Sequence, residues 1–440
     1  MSLLARREFL NTVVRQGAGA AAASLAAGAY VSAADKPAVP ASDRPPVRVA
    51  VMGVRNRGKD LVDDFSSFPN VEVAYICDVD QSVIAPAAKI LEKKGRPAPK
   101  VVTDFRKALD DKSVTVLACA APDHWHALAS IWACQAGKDV YVEKPCSHNP
   151  VEGRRMVEVA RRTKRIVQVG TQRRTSPAIQ KLVEYVRGGK LGKVGFARAW
   201  ITGPRPNIGR ESVVAAPSTL DFDLWCGPAP NNGYKKNLVP YNWHWRWDYG
   251  TGECGNNGVH GLDVIRWALG VEYPTRVTCG GGKYIFDDDQ ETPDTQLAMF
   301  DHPGGSIAWE HRTWSRRGLD GLKAGIALYG TEGNLVSDES SWTVYSPGKK
   351  EEVLHKQEST PYELPHVENF LNSVVTRQLP SADIEINHRT TLMCQLANIA
   401  WRTGSTINFD GLKEEIVANP AASALLRREN YRKGFELPSA

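Results

Sequence analysis

Three residues early in the chain are spaced to hold a dinucleotide. Gly53-x-Arg55-x-x-Gly58 follows the β-branched run Val47–Met52, and Asp78 closes a second such run, Val71–Cys77. A glycine turn lets main-chain N–H groups approach a pyrophosphate with no Cβ in the way. The helix that follows directs its positive N-terminal end at the same phosphates. A carboxylate at the tip of the second strand accepts ribose hydroxyls and repels a 2′-phosphate. No basic residue follows Asp78 before Gln81, which favours NAD, with NADP open through Arg55 and Arg57. Arg55 replaces the middle glycine of the usual pattern, so it either turns to the pyrophosphate or crowds the turn. An ordinary βαβ unit with no ligand is the alternative.

Two further groups carry chemistry. His124 and His126 invite a metal reading, but no further ligands stand at metal-binding spacing, so no metal is expected. The run Trp243-His244-Trp245-Arg246-Trp247-Asp248-Tyr249 alternates aromatic and polar residues, as an extended strand does. Its rings are suited to stack on sugars, with His244, Arg246 and Asp248 on hydroxyls. A subunit-interface or core cluster is an equal alternative.

The elements that must position these residues follow in order. After Asp78 the pattern predicts helices over 82–95, 123–136 and 150–164, alternating with strands over 114–120, Asp139–Val142 and 166–169. The continuous apolar character of these strands fits a parallel sheet covered on both faces. The sum is a six-stranded, doubly wound Rossmann domain over 46–170. Beyond Gly170 the pattern changes to a mostly antiparallel open sheet in an α+β domain over 171–364. Helices in 365–440 are expected to pack back on the first domain. The fold class is therefore α/β, a Rossmann domain followed by an α+β domain.

At 440 residues the chain is long enough for two or three domains, and its 42% hydrophobic and 24% charged content is that of a globular protein. The net charge of +6 is spread along the chain and marks no nucleic-acid partner. Eight scattered cysteines form neither a CxxC nor a zinc pattern. Residues 1–34 read as a twin-arginine signal peptide: Arg6-Arg7-Glu8-Phe9-Leu10, an Ala/Gly stretch, and Val31-Ser32-Ala33 as the cleavage site. Residues 35–46 are a Pro/Ala/Ser linker. Export to the periplasm or cell envelope is expected, with no membrane span in the mature chain.

Five motifs fall together in one order: the Rossmann unit, Ala121-Pro122-Asp123-His124-Trp125-His126-Ala127, Glu143-Lys144-Pro145, Val169-Gly170-Thr171-Gln172-Arg173-Arg174, and Gly255-Asn256-Asn257-Gly258-Val259-His260-Gly261-Leu262-Asp263. Over about 46–405 the chain resembles the Gfo/Idh/MocA oxidoreductases. The resemblance implies a nicotinamide cofactor, a sugar, polyol or glycoside substrate, and a homodimer or tetramer packed through the open sheet. It implies a cofactor site of Gly53, Arg55, Asn56, Arg57, Gly58 and Asp78, completed by Pro122, His126, Glu143 and Lys144. It implies Lys144 and His260 as catalytic groups, and a substrate site that also draws on Gln172 and Arg173. Trp245, Arg246 and Asp248 join that site if the aromatic run binds sugar.

Asn256 stands where the family has an aspartate, four residues before the histidine. An asparagine takes no proton but donates and accepts hydrogen bonds, so a substrate-hydroxyl contact is expected of it. His260 suits the base and Lys144 the positive charge that carbinol oxidation requires. Asp263 is expected to fix His260 or cap structure, and His126 to cap its helix near the cofactor. Three functions are compatible: an exported NAD(P)-dependent oxidoreductase with tightly bound cofactor, an NAD-dependent glycoside hydrolase working by transient oxidation and elimination, and a sugar-binding or scaffold protein without chemistry.

Overall fold

The computed structural model describes residues 44–439. The twin-arginine pattern, the cleavage site and nearly all of the linker lie outside the described residues.

Strands β1 (Val47–Met52), β2 (Val71–Cys77), β3 (Lys100–Val102), β4 (Val116–Cys119), β5 (Asp139–Val142) and β6 (Val167–Val169) form a parallel sheet in the order β3-β2-β1-β4-β5-β6. Alternate residues of β1 serve opposite cores: Val49 and Val51 pack with Leu61 and Phe65, Ala50 and Met52 with Leu117 and Leu128. That two-sided burial is why the strand reads as an unbroken apolar run. Helices α1 (Arg57–Ser66), α2 (Ile84–Lys93), α3 (Arg106–Asp110), α4 (Asp123–Gln135) and α5 (Pro150–Thr163) connect the strands. The start of α5 is set by Asn149, which accepts from the Glu152 amide at 3.0 Å, and by Pro150 in the first turn. Strand order reverses between β1 and β4, and ligands of such sheets bind beyond the strand ends at that point.

The chain continues through α6 (Pro177–Arg187), β7 (Val194–Thr202), α7 (Phe222–Cys226) and α8 (Val259–Leu269). The remaining strands are β8 (Arg276–Gly282), β9 (Thr295–His302), β10 (Gly305–Arg312), β11 (Ala324–Gly330), β12 (Asn334–Ser337), β13 (Trp342–Tyr345), β14 (Val353–Gln357), β15 (Ile407–Asp410) and β16 (Glu415–Ile416). They form a ten-stranded sheet in the order β14-β13-β12-β11-β7-β10-β9-β8-β15-β16. β7 and β10 run parallel, and the remaining pairs are antiparallel. One face is buried and the other open. On β9, Ala298 and Phe300 enter the core, whereas Leu297, just before them, is 45% exposed.

Helices α9 (Glu363–Thr376) and α10 (Ile384–Thr403) follow β14. The first packs Phe370 edge-on against Phe65 and Tyr141 of the Rossmann layer, with ring centroids 6.1 and 5.9 Å apart. The second also packs on the first domain, where Thr391 accepts from the Cys146 amide and Gln395 donates to the Ser147 carbonyl at 3.0 Å, and it reaches beyond it. Its Ile384 joins the Rossmann hydrophobic core, while Leu392, Met393 and Leu396 are buried in the core of the ten-stranded sheet. α10 therefore ties the two sheets together. Among the described residues, no helix is long and apolar enough to cross a membrane.

Candidate active site

The glycine turn is built as its spacing requires. Gly53 has φ +80°, a conformation that side-chain-bearing residues rarely adopt. A Cβ on Gly58 would lie 1.7 Å from the Gly53 carbonyl oxygen. Gly58 thus lets α1 close on the turn and is not part of the cleft wall. Asp78 accepts from the Val54 amide at 2.7 Å and from the Asp80 amide at 2.9 Å, which fixes its carboxylate at the mouth of the turn. Burial pushes its carboxyl up from the ordinary value, and those two amides pull it back. The Arg55 guanidinium turns to Asp80, which it bonds at 2.6 Å, and its side chain lines the cleft. Arg57 bonds Glu143 at 2.9 Å and Glu363 at 3.1 Å.

A cleft of about 430 Å³ runs from this turn to α8, lined by Gly53, Arg55, Asn56, Arg57, Asp78, Pro122, His126, Glu143, Lys144, Gln172, Arg173, Asn256 and His260. Thirteen of the residues singled out in the sequence therefore share one cavity. At its far end Lys144 donates to the main-chain oxygen of Asn256 at 2.8 Å and to its Oδ1 at 2.9 Å. A single turn of π-helix, Cys254–Gly258, carries Asn256 and runs directly into α8 and His260. Such turns interrupt the regular ladder and recur at functional sites. The α8 helix can lie close to the sheet because glycines face it: a Cβ on Gly261 would sit 2.8 Å from the Ala199 side chain.

The electrostatics of this end are set by burial. Lys144 is pushed below its ordinary value by burial, against the pull of Glu143, Asp123 and Glu253. His260 is pushed well below its ordinary value by burial and by the positive charges of Arg173, Lys144 and Arg57. Its Nδ1 is buried and takes no hydrogen bond. Arg173 is ion-paired to Glu339 at 2.9 Å, and Gln172 donates to Glu143 at 3.3 Å.

Several expectations are corrected. Asp263 does not fix His260; it makes a buried ion pair with Arg174, two bonds of 2.7 Å, and accepts from Thr390. The ring of His126 is spent on two carbonyl oxygens, Pro145 at 2.6 Å and Ala121 at 2.7 Å, so it braces the turns on either side of the cleft. The aromatic run is not extended: Asn242–Trp245 is a 3₁₀ turn. Trp245 is buried beneath the guanidinium of Arg205, 5.4 Å from its ring. Arg246 pairs with Asp289 at 3.1 Å and Glu291 at 3.2 Å, and Asp248 accepts from Asn232 at 2.8 Å. None of these three lines the cleft, so their assignment to the substrate site fails. Trp243 and His244, two other candidates of the run, do line it, together with Tyr241.

Sequence reading missed two sets of residues. Asp123, at the start of α4, accepts from the Thr251 hydroxyl at 2.7 Å, and the Thr251 carbonyl accepts from Asn398 of α10 at 2.7 Å. That relay fixes the π-turn against both the Rossmann layer and α10. The second set is a strap, residues 217–241. The Gln81 amide donates to Thr219 at 2.9 Å and the Asp221 amide to Val79 at 2.9 Å, beside a β-bridge between Asp80 and Leu220. The Trp225 carbonyl faces His124 Nε2 at 2.9 Å and accepts from Trp125 Nε1 at 3.0 Å. Leu220, Trp225, Val239 and Pro240 thereby wall the cleft opposite the strand ends. Arg432 holds the strap from outside, bonding the Asp223 carboxylate and, at 2.7 Å, its carbonyl. The proline position before Asp123 was the one available signal for the first set; the strap had none.

The comparisons agree with this geometry. Residues 47–171 match a family model described as "Oxidoreductase family, NAD-binding Rossmann fold", and residues 195–293 and 330–437 match its C-terminal alpha/beta domain. The chain belongs to the Gfo/Idh/MocA oxidoreductase family, and its first domain is an NAD-binding Rossmann domain. A glycosyl hydrolase family 109 protein of Shewanella baltica is 32% identical over 172 residues, 36% of this chain and 38% of that protein. An alpha-N-acetylgalactosaminidase of Shewanella oneidensis is 31% identical over the same shares. The chain thus spans 38% of the length of these curated relatives. Among solved structures, levoglucosan dehydrogenase in complex with NADH and levoglucosan superposes with a TM-score of 0.65 at 16% identity, covering 82% of this chain and 99% of that one. The WlbA dehydrogenase from Bordetella pertussis, in complex with NADH and UDP-GlcNAcA, gives 0.63 at 16%, covering 83% and 99%. These two show a shared fold.

Proposed function

We propose that the protein is an NAD-dependent oxidoreductase acting on a carbinol of a sugar, polyol or glycoside, and that it holds its cofactor tightly. The observation that carries the reading is the Lys144 ammonium, anchored on Asn256 at the end of a cleft that begins at the glycine turn. The residues present fit a dinucleotide: the steric cradle at Gly53 and Gly58 admits no side chain, and Asp78 stands amide-braced where a ribose would lie. A bound nicotinamide supplies the hydride acceptor. Lys144 holds positive charge where the substrate oxygen gains negative charge. His260, kept neutral by its surroundings, is free to take the hydroxyl proton. Asn256 sets the direction of the ammonium through two hydrogen bonds, a task that does not need a carboxylate.

Tight retention is supported by the strap, whose main-chain bonds to Val79 and Gln81 close the wall beside Asp78. Retention suits export by the twin-arginine route, which carries folded proteins with their cofactors. Pairing of subunits through the open sheet is supported by exposed Leu297 and Tyr329 on its outer face.

A second reading, glycoside cleavage by transient oxidation and elimination on retained NAD, is favoured by the family 109 relatives. One experiment tests the first reading and separates the two. The ultraviolet spectrum of undialysed protein, followed by release of bound nucleotide, should identify NAD. Incubation with sugars and aryl glycosides then gives either net nucleotide reduction or cleavage without it. Absence of nucleotide and of any nucleotide binding would remove both readings.

A further inference from the structure

The oxidoreductase reading leaves the substrate's second point of attachment unassigned. His244 shares the cleft with Lys144, Asn256 and His260. Its ring is held on every side but one. Nδ1 lies 2.6 Å from the Tyr241 carbonyl, which can only accept, so Nδ1 carries the proton. One face stacks on Trp243, with centroids 3.6 Å apart and planes at 20°. The Tyr241 ring stands 4.4 Å away and the Trp245 ring 5.6 Å. The main chain is equally confined: a Cβ on Gly250 would come within 2.6 Å of the His244 Cα. Nε2 alone takes no protein hydrogen bond among the described residues, and with Nδ1 protonated it presents a lone pair.

We propose that His244 Nε2 accepts a hydrogen bond from a donor that the substrate carries beside the reacting carbinol, and so selects sugars with a hydroxyl or acetamido N–H at that position. The assignment rests on the oxidoreductase reading for which carbinol reacts, but not for whether sugar binds. The charges around the ring keep it neutral: burial, with Lys144 and Arg205 nearby, pushes His244 down to about 3. A neutral imidazole of this tautomer offers nothing to a carbonyl or carboxylate at that position, which would meet lone pair against lone pair. The site therefore discriminates by an unmet hydrogen bond, the form of selection that costs an analogue most.

The test reads binding without turnover. Nucleotide-loaded protein is titrated with methyl α-glucoside, N-acetylgalactosamine and levoglucosan and with their monodeoxy or deacetamido counterparts, following tryptophan fluorescence, for which Trp243 beneath the ring is the reporter. The expected result is a preference of about tenfold or more for one parent sugar over the counterpart lacking one donor. Loss of preference for the hydroxyl or for the acetamido group identifies which donor is read. His244→Phe, which keeps the stacked shape and removes the acceptor, should bind parent and counterpart equally. His244→Gln, which places an amide near Nε2, should recover part of the preference. Retained nucleotide and an unchanged melting temperature establish that the variants fold. A His244→Phe protein that keeps the wild-type preference, or a wild type that binds none of these sugars, overturns the assignment. Sugar binding with no nucleotide reduction would overturn the oxidoreductase reading and leave this one standing.

Discussion

Lys144 spends two of its ammonium protons on a single residue, the main-chain and side-chain oxygens of Asn256, at 2.8 and 2.9 Å. The third remains for the cleft. Lys144→Met should lower kcat by about 10²–10³-fold while nucleotide content is unchanged, because it removes charge stabilisation and leaves the glycine turn intact. Steady-state rates and the absorbance of the purified variant check both halves; unchanged kcat would discard Lys144 as a catalytic group.

Asn256→Asp tests what the departure from the family pattern does. Burial holds Lys144 below its ordinary value in the native protein. A carboxylate partner favours the charged amine and raises its pKa. The alkaline limb of kcat/KM, where the ammonium loses its proton, should therefore move to higher pH in Asn256→Asp. A limb that stays in place, or moves down, contradicts this assignment of charge.

The acid limb belongs to His260. Burial together with Arg173, Lys144 and Arg57 holds its pKa well below the ordinary value. A base with a depressed pKa stays unprotonated into acid, so kcat/KM should be flat through the range near pH 6.5 where an ordinary histidine titrates. A decline centred there in the wild type would show that His260 is not the base. Arg173→Gln removes one of the cations facing the ring and should shift the limb upward.

The strap predicts a rate. Arg432 lies on the outer side of the strap and bonds Asp223 through both its carboxylate and its carbonyl. Arg432→Ala should release bound NADH about tenfold faster, the effect of losing charge-assisted hydrogen bonds. Stopped-flow displacement followed by nucleotide fluorescence measures it, and an unaltered release rate would mean the strap does not govern retention.

Asp263 predicts a loss of stability in place of a catalytic defect. Its partner Arg174 is almost fully buried, and removing one member of such a pair strands a charge. Asp263→Ala should cost roughly 3–5 kcal/mol in denaturant unfolding. The acid limb of the folded fraction should match the wild type, since no hydrogen bond joins Asp263 to His260.

The parts of this molecule that were legible before its structure are those fixed by local rules. Gly53, Gly58 and Asp78 sit within one βαβ unit, where hydrophobic period and turn chemistry fix the geometry. Lys144, Asn256 and His260 came through family motifs, and they meet in one cleft. The misreadings have one physical source. Alternation of Trp243, Trp245 and Trp247 marks a common face only in extended backbone, whereas the chain there makes a 3₁₀ turn with three residues per turn. The ion partners that hold Arg246, Asp289 and Glu291, lie some forty positions away and leave no mark beside it. The strap is hidden for the same reason: the amide of Gln81 and the carbonyl of Thr219 belong to segments whose pairing no local pattern announces.

The clasp formed by Arg432, and the packing of Phe435 against Trp125 at 5.6 Å, also impose an order in time. These residues follow, in chain order, every residue that lines the cleft, the last of which is Glu363. The nucleotide bay is thus unlatched until the segment that carries Arg432 has been made and has reached Asp223.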